Sequence, residues 1–353
     1  MPLYIIEYYN QFKLNIVPFF LTLLFLGAGG PLGGLEAGAL IALDEKGVKF
    51  DIISGACIGS VISLAYSSPA NGMTGREALE MWCNTTGISD EIYYGFCPTN
   101  YKVFQKNAGI LNPINDFWIK EMVRLNPLYS VNPKNQFERF YSDMYLYCLT
   151  LCTTSFPFPG ETSISRIAPF LENFINFNEI KNVELDVYIN AMNITDKEIA
   201  VFDKEQITEK QVIAGSSLFF ICPQTMIDGK LYGEGSYRAS LNYQSLIKDY
   251  DQIETIIVMN ILNKNDLIRK PRNQHDAYNL SIMLPFITIA EDDTKLFKAA
   301  HENNQNIHKI EFEIPKGHED KALDWSVSNF KTLRDIGYKA SLEFYNNNKN
   351  LFN

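Results

Sequence analysis

Residues 21–60 read LTLLFLGAGGPLGGLEAGALIALDEKGVKFDIISGACIGS, and the alternation of apolar and glycine-rich pieces in that stretch decides the fold. Leu21 to Leu26 is a short, wholly apolar run, the pattern of a strand buried on both faces. It passes straight into GAGGPLGG, Gly27 to Gly34. From Gly34 to Glu45 the apolar positions Leu35, Ala39, Leu40 and Leu43 recur at helical spacing, and Gly47 stops them. Phe50 to Ile53 (FDII) reads as a second strand and SGACIGS as a second glycine turn, with a helix predicted from about Ile58 to Tyr66. Strand, glycine turn and helix, twice over, imply a parallel sheet covered by helices.

Outward from this stretch the pattern is less regular. Upstream, Ile16 to Leu26 is apolar, but it is too short to span a bilayer. Only Lys13 supplies positive charge before it, and Pro18 interrupts a helix, so a buried strand is expected there and not a signal peptide. Residues from about 72 to 180 carry many aromatics, Asn and Pro without a glycine-turn motif, and a mostly helical insertion capping the sheet is expected. Strand signals return at Leu185 to Met192, Ile199 to Phe202 and Thr255 to Asn260. The chain from about 266 to 353 reads as helical and amphipathic. A single domain over 1–353 is expected, with its core at about 18–265.

Composition narrows the function classes. The chain has 353 residues, 46% of them hydrophobic and 20% charged, which is the balance of an ordered globular protein. A formal net charge of -10 opposes a nucleic-acid partner, because a phosphate backbone needs a basic footprint. It opposes purely electrostatic attachment to anionic lipid as well, so any transient membrane contact must be apolar. The six cysteines lie without disulfide spacing, and no His neighbours Cys148 or Cys152, so neither a disulfide framework nor a metal site is expected. No cofactor is implied. Reduced thiols fit a cytoplasmic or membrane-peripheral protein.

Two motifs carry chemistry. Gly55-Ala56-Cys57-Ile58-Gly59 sits between a predicted strand and helix, where glycines permit the strained turn that lifts a side chain to a helix N-terminus. The amides and dipole there favour negative charge, which makes a thiol more reactive. A buried structural cysteine after a turn is the competing reading. The Gly27 to Gly34 turn can converge amides on an oxyanion. A nucleotide-binding loop is the alternative, although the Gly-Lys-Ser/Thr of a Walker loop is missing. Further on, IDGKLYGEGS, Ile227 to Ser236, reads as a hairpin-like segment offering two carboxylates, Asp228 and Glu234.

Taken in order, LFLGAGGPLGGLEAGALIAL, FDIISGACIGS and IAGSSLFFICPQTMIDGKLYGEGS resemble the patatin-like phospholipase family over about residues 20 to 265. The stretch from Asp324 to Tyr338 resembles the C-terminal helices of some bacterial members. The resemblance implies a three-layer α/β/α hydrolase fold with a mostly parallel central sheet. It also implies a Ser-Asp dyad that needs no histidine. Carried over by position, Gly29, Gly30, Leu32 and Gly33 fall on the oxyanion loop, and Leu32 replaces a residue that is basic in many members. Gly55, Ile58 and Gly59 frame the elbow, Cys57 falls on the nucleophile, and Glu234, followed by Gly235, falls on the acid. Asp228 lies just before the family's acid turn.

Both catalytic positions depart from the family pattern. A thiol of ordinary pKa, ~8.5, gives its proton to an ordinary Glu, ~4.3, at a cost of about 5 to 6 kcal/mol, far less than a serine hydroxyl would require. A thiolate attacking an ordinary ester is the better leaving group of the two, so the intermediate tends to return to substrate; a thioester escapes that problem. The expectation is an acyl hydrolase acting on a lipid or acyl (thio)ester through Cys57 and Glu234. The alternative is a pseudoenzyme that keeps the pocket and binds a lipid or a protein partner. Export as an effector without an N-terminal signal, as for some bacterial patatin-like proteins, stays open.

Overall fold

The computed structural model describes residues 21–91 except Ile88, then 171–219, 224–243, 253–271, 274–300, 306–315 and 321–352, with His318 and a few positions between 121 and 141. The strand expected upstream of Leu21 and most of the 72–180 insertion lie outside the described residues. So do Cys97, Cys148, Cys152 and Cys222.

The first repeat forms as its pattern dictates. Strand β1 (Leu21–Leu26) leads through a 3-10 turn (Gly30–Leu32) into helix α1 (Gly33–Glu45). Strand β2 (Ile52–Gly55) leads through Cys57 into α2 (Ile58–Ser67), and α3 (Gly75–Thr85) follows behind a Thr74–Glu77 capping box. The second strand thus runs two residues later than the FDII run suggests. Asp51, just before it, ties the start of β2 to the start of β1 instead, with its carboxylate accepting from the Thr22 amide at 2.7 Å.

Five more strands complete the picture as far as residue 260. These are β3 (Asp186–Asn193), β4 (Glu198–Asp203), β5 (Thr225–Ile227), β6 (Lys230–Gly233) and β7 (Ile253–Asn260). Beyond β7 come helices α4 (Gln274–Ala300) and α5 (Val327–Asn347), with strand β8 (Asn306–Glu311) between them. That strand corrects the wholly helical reading of residues 266 to 353. Ile307 and Ile310 stand three apart, which mimics a helix, while Ile310, Phe312 and Ile314 are buried alternately, as in a strand and its continuation.

Among the described residues the sheet runs β5-β6-β3-β2-β1-β7-β8, with β4 paired to β3 off this path. The strands from β3 through β2, β1 and β7 to β8 are mutually parallel, and β4, β5 and β6 join antiparallel. The crossovers step one way from β1 to β3 and the other way from β7 to β8, and helices cover both sides of the sheet. Leu23, Leu24, Phe25, Ile53, Val187, Ile189, Ile256 and Ile257 form its buried centre.

Helices α1 and α5 approach at backbone distance. A methyl on Gly38 would collide with the Arg334 carbonyl, and one on Gly337 with the Leu35 carbonyl. The Asp324–Asn329 stretch caps α5: the Asp324 carboxylate accepts from the Ser326 amide at 2.9 Å, and the Ser326 hydroxyl accepts from the Asn329 amide at 3.3 Å.

One register relation positions the site. The Ile189 step of β3 is level with Gly55, where β2 ends. Strand β4 occupies the other side of β3 from Tyr188 to Asn193. When β6 pairs Gly233 with Met192, it therefore enters the lane that β2 has vacated. Running antiparallel, its next residues head back toward the end of β2.

Candidate active site

Cys57 stands at the strand-to-helix corner with φ 52 and ψ -119, a conformation that few residues other than glycine adopt. Two glycines make the corner feasible. A methyl on Gly55 would run into the Gly59 carbonyl, and one on Gly59 would lie 2.6 Å from the Leu26 carbonyl oxygen at the end of β1. The Gly59 amide closes onto the Ala56 carbonyl at 2.9 Å, and the Ser60 hydroxyl donates to the Gly55 carbonyl at 3.0 Å. The thiol is thereby held, partly exposed, at the start of α2.

The other glycine turn lies alongside. A side chain on Gly33 would strike Ile58, its Cβ 2.6 Å from Cγ1, so the start of α1 packs directly on the residue after Cys57. Gly29 has φ 176 and ψ 9, and Gly30 adopts φ +54 beneath the rings and methyls of Trp325 and Leu323. Within this turn the Leu32 amide donates to the Gly29 carbonyl at 3.1 Å, and the Gly33 amide to the carbonyls of Gly30 and Pro31. Leu32 and Gly33 thus close the turn with their N–H groups and contribute to the loop by shape.

Glu234 follows β6 and is fully buried. Its amide donates to the Ser217 carbonyl at 3.1 Å, and its carboxylate accepts from the Ser236 amide at 3.1 Å, capping the short turn Gly235–Tyr237. The Cys57 thiol bonds to the same carboxyl group. Burial pushes this carboxyl up from near 4.5 to about 7, against the pull of its hydrogen bonds from Cys57 and Ser236. The nucleophile and acid positions read from the sequence are therefore joined. Asp228 is not part of that contact: it occupies the exposed β5–β6 turn with φ 48, with Gly229 at φ 79.

Supporting residues that the sequence reading did not single out surround the acid. Gly235 packs so tightly on β3 that a methyl there would lie 2.5 Å from the Asn190 Oδ1, while the Asn190 amide donates to the Ala239 carbonyl at 2.9 Å. The Ser216 hydroxyl donates to the Cys57 carbonyl at 3.3 Å. Phe219 stacks on Tyr237 with ring centroids 4.9 Å apart, and Tyr237 meets Phe286 of α4 at 4.9 Å, giving the acid turn an aromatic flank. Asp293, also on α4, accepts from the Leu241 amide at 2.9 Å and ties down the segment beyond Glu234; burial raises its carboxyl to about 6.

Cys57 and Cys83 both lie outside any disulfide, and they differ. Cys83 is buried in α3, and burial pushes its thiol up to about 12. The described residues hold no cluster of three or more His, Cys, Asp or Glu able to bind a metal ion. No helix among them is long and apolar enough to cross a membrane.

The fold agrees with the family comparison. The family model for patatin-like phospholipase matches residues 24–247, and the chain belongs to that family of lipid hydrolases. Among solved structures it is similar to VipD from Legionella pneumophila, at 13% identity and a TM-score of 0.35, covering 89% of this chain and 67% of VipD. It is also similar to ExoU from the type III secretion system of Pseudomonas aeruginosa, solved with SpcU, at 12% identity and a TM-score of 0.28 over 92% of this chain. The chain spans about half the length of ExoU, 52%. No curated protein sequence matches it.

Proposed function

We propose that the protein is a lipid acyl hydrolase that works through a Cys57–Glu234 pair and acts on thioesters or similarly activated acyl groups. The hydrogen bond between the Cys57 thiol and the buried Glu234 carboxyl, at a strained strand-to-helix corner, carries this reading. A carboxyl raised to about 7 is a better-matched proton acceptor for a thiol than one near 4.5. Measured from an ordinary thiol, the transfer then costs about 2 kcal/mol.

The chemistry follows from those two groups. Ionised Glu234 takes the thiol proton as sulfur attacks the acyl carbonyl carbon. The amides of Gly29, Gly30 and Ile58 receive the oxyanion. Collapse breaks the bond from the acyl carbon to the leaving sulfur, and protonated Glu234 returns its proton to that thiolate. Water then adds to the acyl-cysteine with Glu234 again as base; the acid is released and Cys57 regains its proton. The half-buried rings of Phe219 and Tyr237 offer an apolar flank to the acyl chain.

The test uses the purified protein with a long-chain acyl thioester, the matching phospholipid and iodoacetamide. Hydrolysis of the thioester exceeds that of the phospholipid, and Cys57→Ala abolishes turnover and labelling at that position. Faster phospholipid cleavage overturns the thioester bias. Absence of turnover in the wild type and in Cys57→Ser alike supports the other reading, a lipid- or protein-binding pseudoenzyme, which the replacement of both family catalytic residues favours.

A further inference from the structure

Glu36 lies in the first turn of α1, in a helix with no polar face over Gly33 to Leu43, and is fully buried. Its Oε1 accepts from the Gly27 amide at 2.6 Å, and its Oε2 has no hydrogen-bond partner among the described residues. Gly27 is the first residue beyond β1. The adjacent Leu26 is still paired, with its carbonyl taking the Ala56 amide at 3.0 Å. At Gly27 the parallel ladder ends, and a buried backbone N–H left there without an acceptor would be costly.

We propose that Glu36 is a positioning residue that sets the path of the oxyanion loop, by taking the Gly27 amide where the sheet no longer does. This rests on the hydrolase reading of Cys57 for its consequence in rate, though not for its consequence in structure. Side-chain packing does not fix this point. A methyl on Gly27 would meet Ile261 and Leu241 only at an ordinary 3.8 Å, whereas the turn just beyond it is crowded, with a methyl on Gly29 lying 2.9 Å from Ile261. The hydrogen bond to Glu36 therefore ties β1 to the first turn of α1 across the loop that carries the Gly29 and Gly30 amides.

The chemistry of the clamp also suits an oxyanion. Burial raises the Glu36 carboxyl well above its ordinary range, with the Gly27 bond opposing that shift, which favours the neutral form beneath the loop. A neutral acceptor orients the loop without placing a negative charge under a developing one. An amide side chain of the same length would do the same work.

Glu36→Gln and Glu36→Leu test this. Three quantities are compared with wild type: kcat and KM on a long-chain acyl thioester, iodoacetamide alkylation of Cys57, and amide hydrogen exchange over residues 27–33. Loss of aligned oxyanion donors costs on the order of a hundredfold. Glu36→Leu is therefore expected to lower kcat by about that factor with KM little changed, to leave alkylation near wild type, and to speed exchange in the loop. Glu36→Gln is expected to restore kcat and exchange to near wild-type values. The proposal is overturned if Glu36→Gln loses as much as Glu36→Leu, if loop exchange is the same in all three proteins, or if alkylation falls in step with kcat. If the wild type shows no turnover, the hydrolase reading fails separately, and the exchange comparison alone then decides the claim about the loop.

Discussion

The two halves of the candidate site are built by different means. The Cys57 corner is local: Gly55, Cys57 and Gly59 lie within five residues, and the turn closes on its own carbonyls and on the adjacent end of β1. The Glu234 turn is remote in sequence. It reaches the thiol because β6 takes over the lane that β2 leaves beside β3, and because Ser217, Ser236 and Asn190 hold the turn from Glu234 to Ala239 in place. A nucleophile can be raised by a short motif, while its partner has to be delivered by the completed sheet.

The sharpest break in this comparison removes the partner's charge and leaves its place. Glu234→Gln keeps an acceptor for the Ser236 amide but removes the base, and thioester kcat/KM is expected to fall by about a thousandfold, within the range for loss of a positioned general base. In the wild type, kcat/KM rises with pH through about 7, as the Glu234 carboxyl ionises; a pH–rate profile on both proteins reads this, and the rise is absent from the variant.

Attacking the corner instead strikes stability. Gly59→Ala forces a methyl to 2.6 Å from the Leu26 carbonyl oxygen, which a neighbouring backbone cannot yield cheaply, and a loss of about 3 kcal/mol is expected by urea denaturation.

The acid half responds to pH in a way the corner does not. Glu234 and Asp293 titrate higher in the folded chain than when exposed, each chiefly because of burial. Their neutral forms suit the folded state, so this contribution is full at pH values below the ordinary carboxyl range. It is lost as pH rises through about 6 for Asp293 and about 7 for Glu234. Stability is expected to decline between about pH 4 and 7, with Glu234 accounting for about 3 kcal/mol. Denaturation midpoints across that range check this, and Glu234→Gln flattens the upper part of the decline. The smallest effect belongs to Asp228→Asn. An exposed turn residue outside the thiol–carboxyl contact should leave thioester turnover within about twofold of wild type, a change the same assay resolves.

Legibility in the sequence divides along the same line. The alternation of apolar runs with glycine turns announced β1, α1, β2 and α2, because contacts close in sequence leave a periodic trace. The thiol was legible through its glycine frame, and Glu234 through family position. The lane exchange was not, since it depends on β4 flanking β3, and pairing between distant strands leaves no mark in local spacing. Strand β8 was hidden by Ile307 and Ile310 at helical separation. Glu36 left one signal, a carboxylate in an otherwise apolar first turn, which reads as an ordinary helix-start acid until its burial is known.

The handover from β2 to β6 also has a bearing on when chemistry becomes available. Cys57 leaves the ribosome before Glu234, and the corner around it is built within the first βαβα segment. The carboxyl beside it follows β3, β4 and β5 in the chain and is delivered by β6 paired to β3. On the proposed reading, an unfinished or misthreaded chain would carry an unaided sulfur and no working pair, and reactivity towards acyl groups would emerge late in assembly.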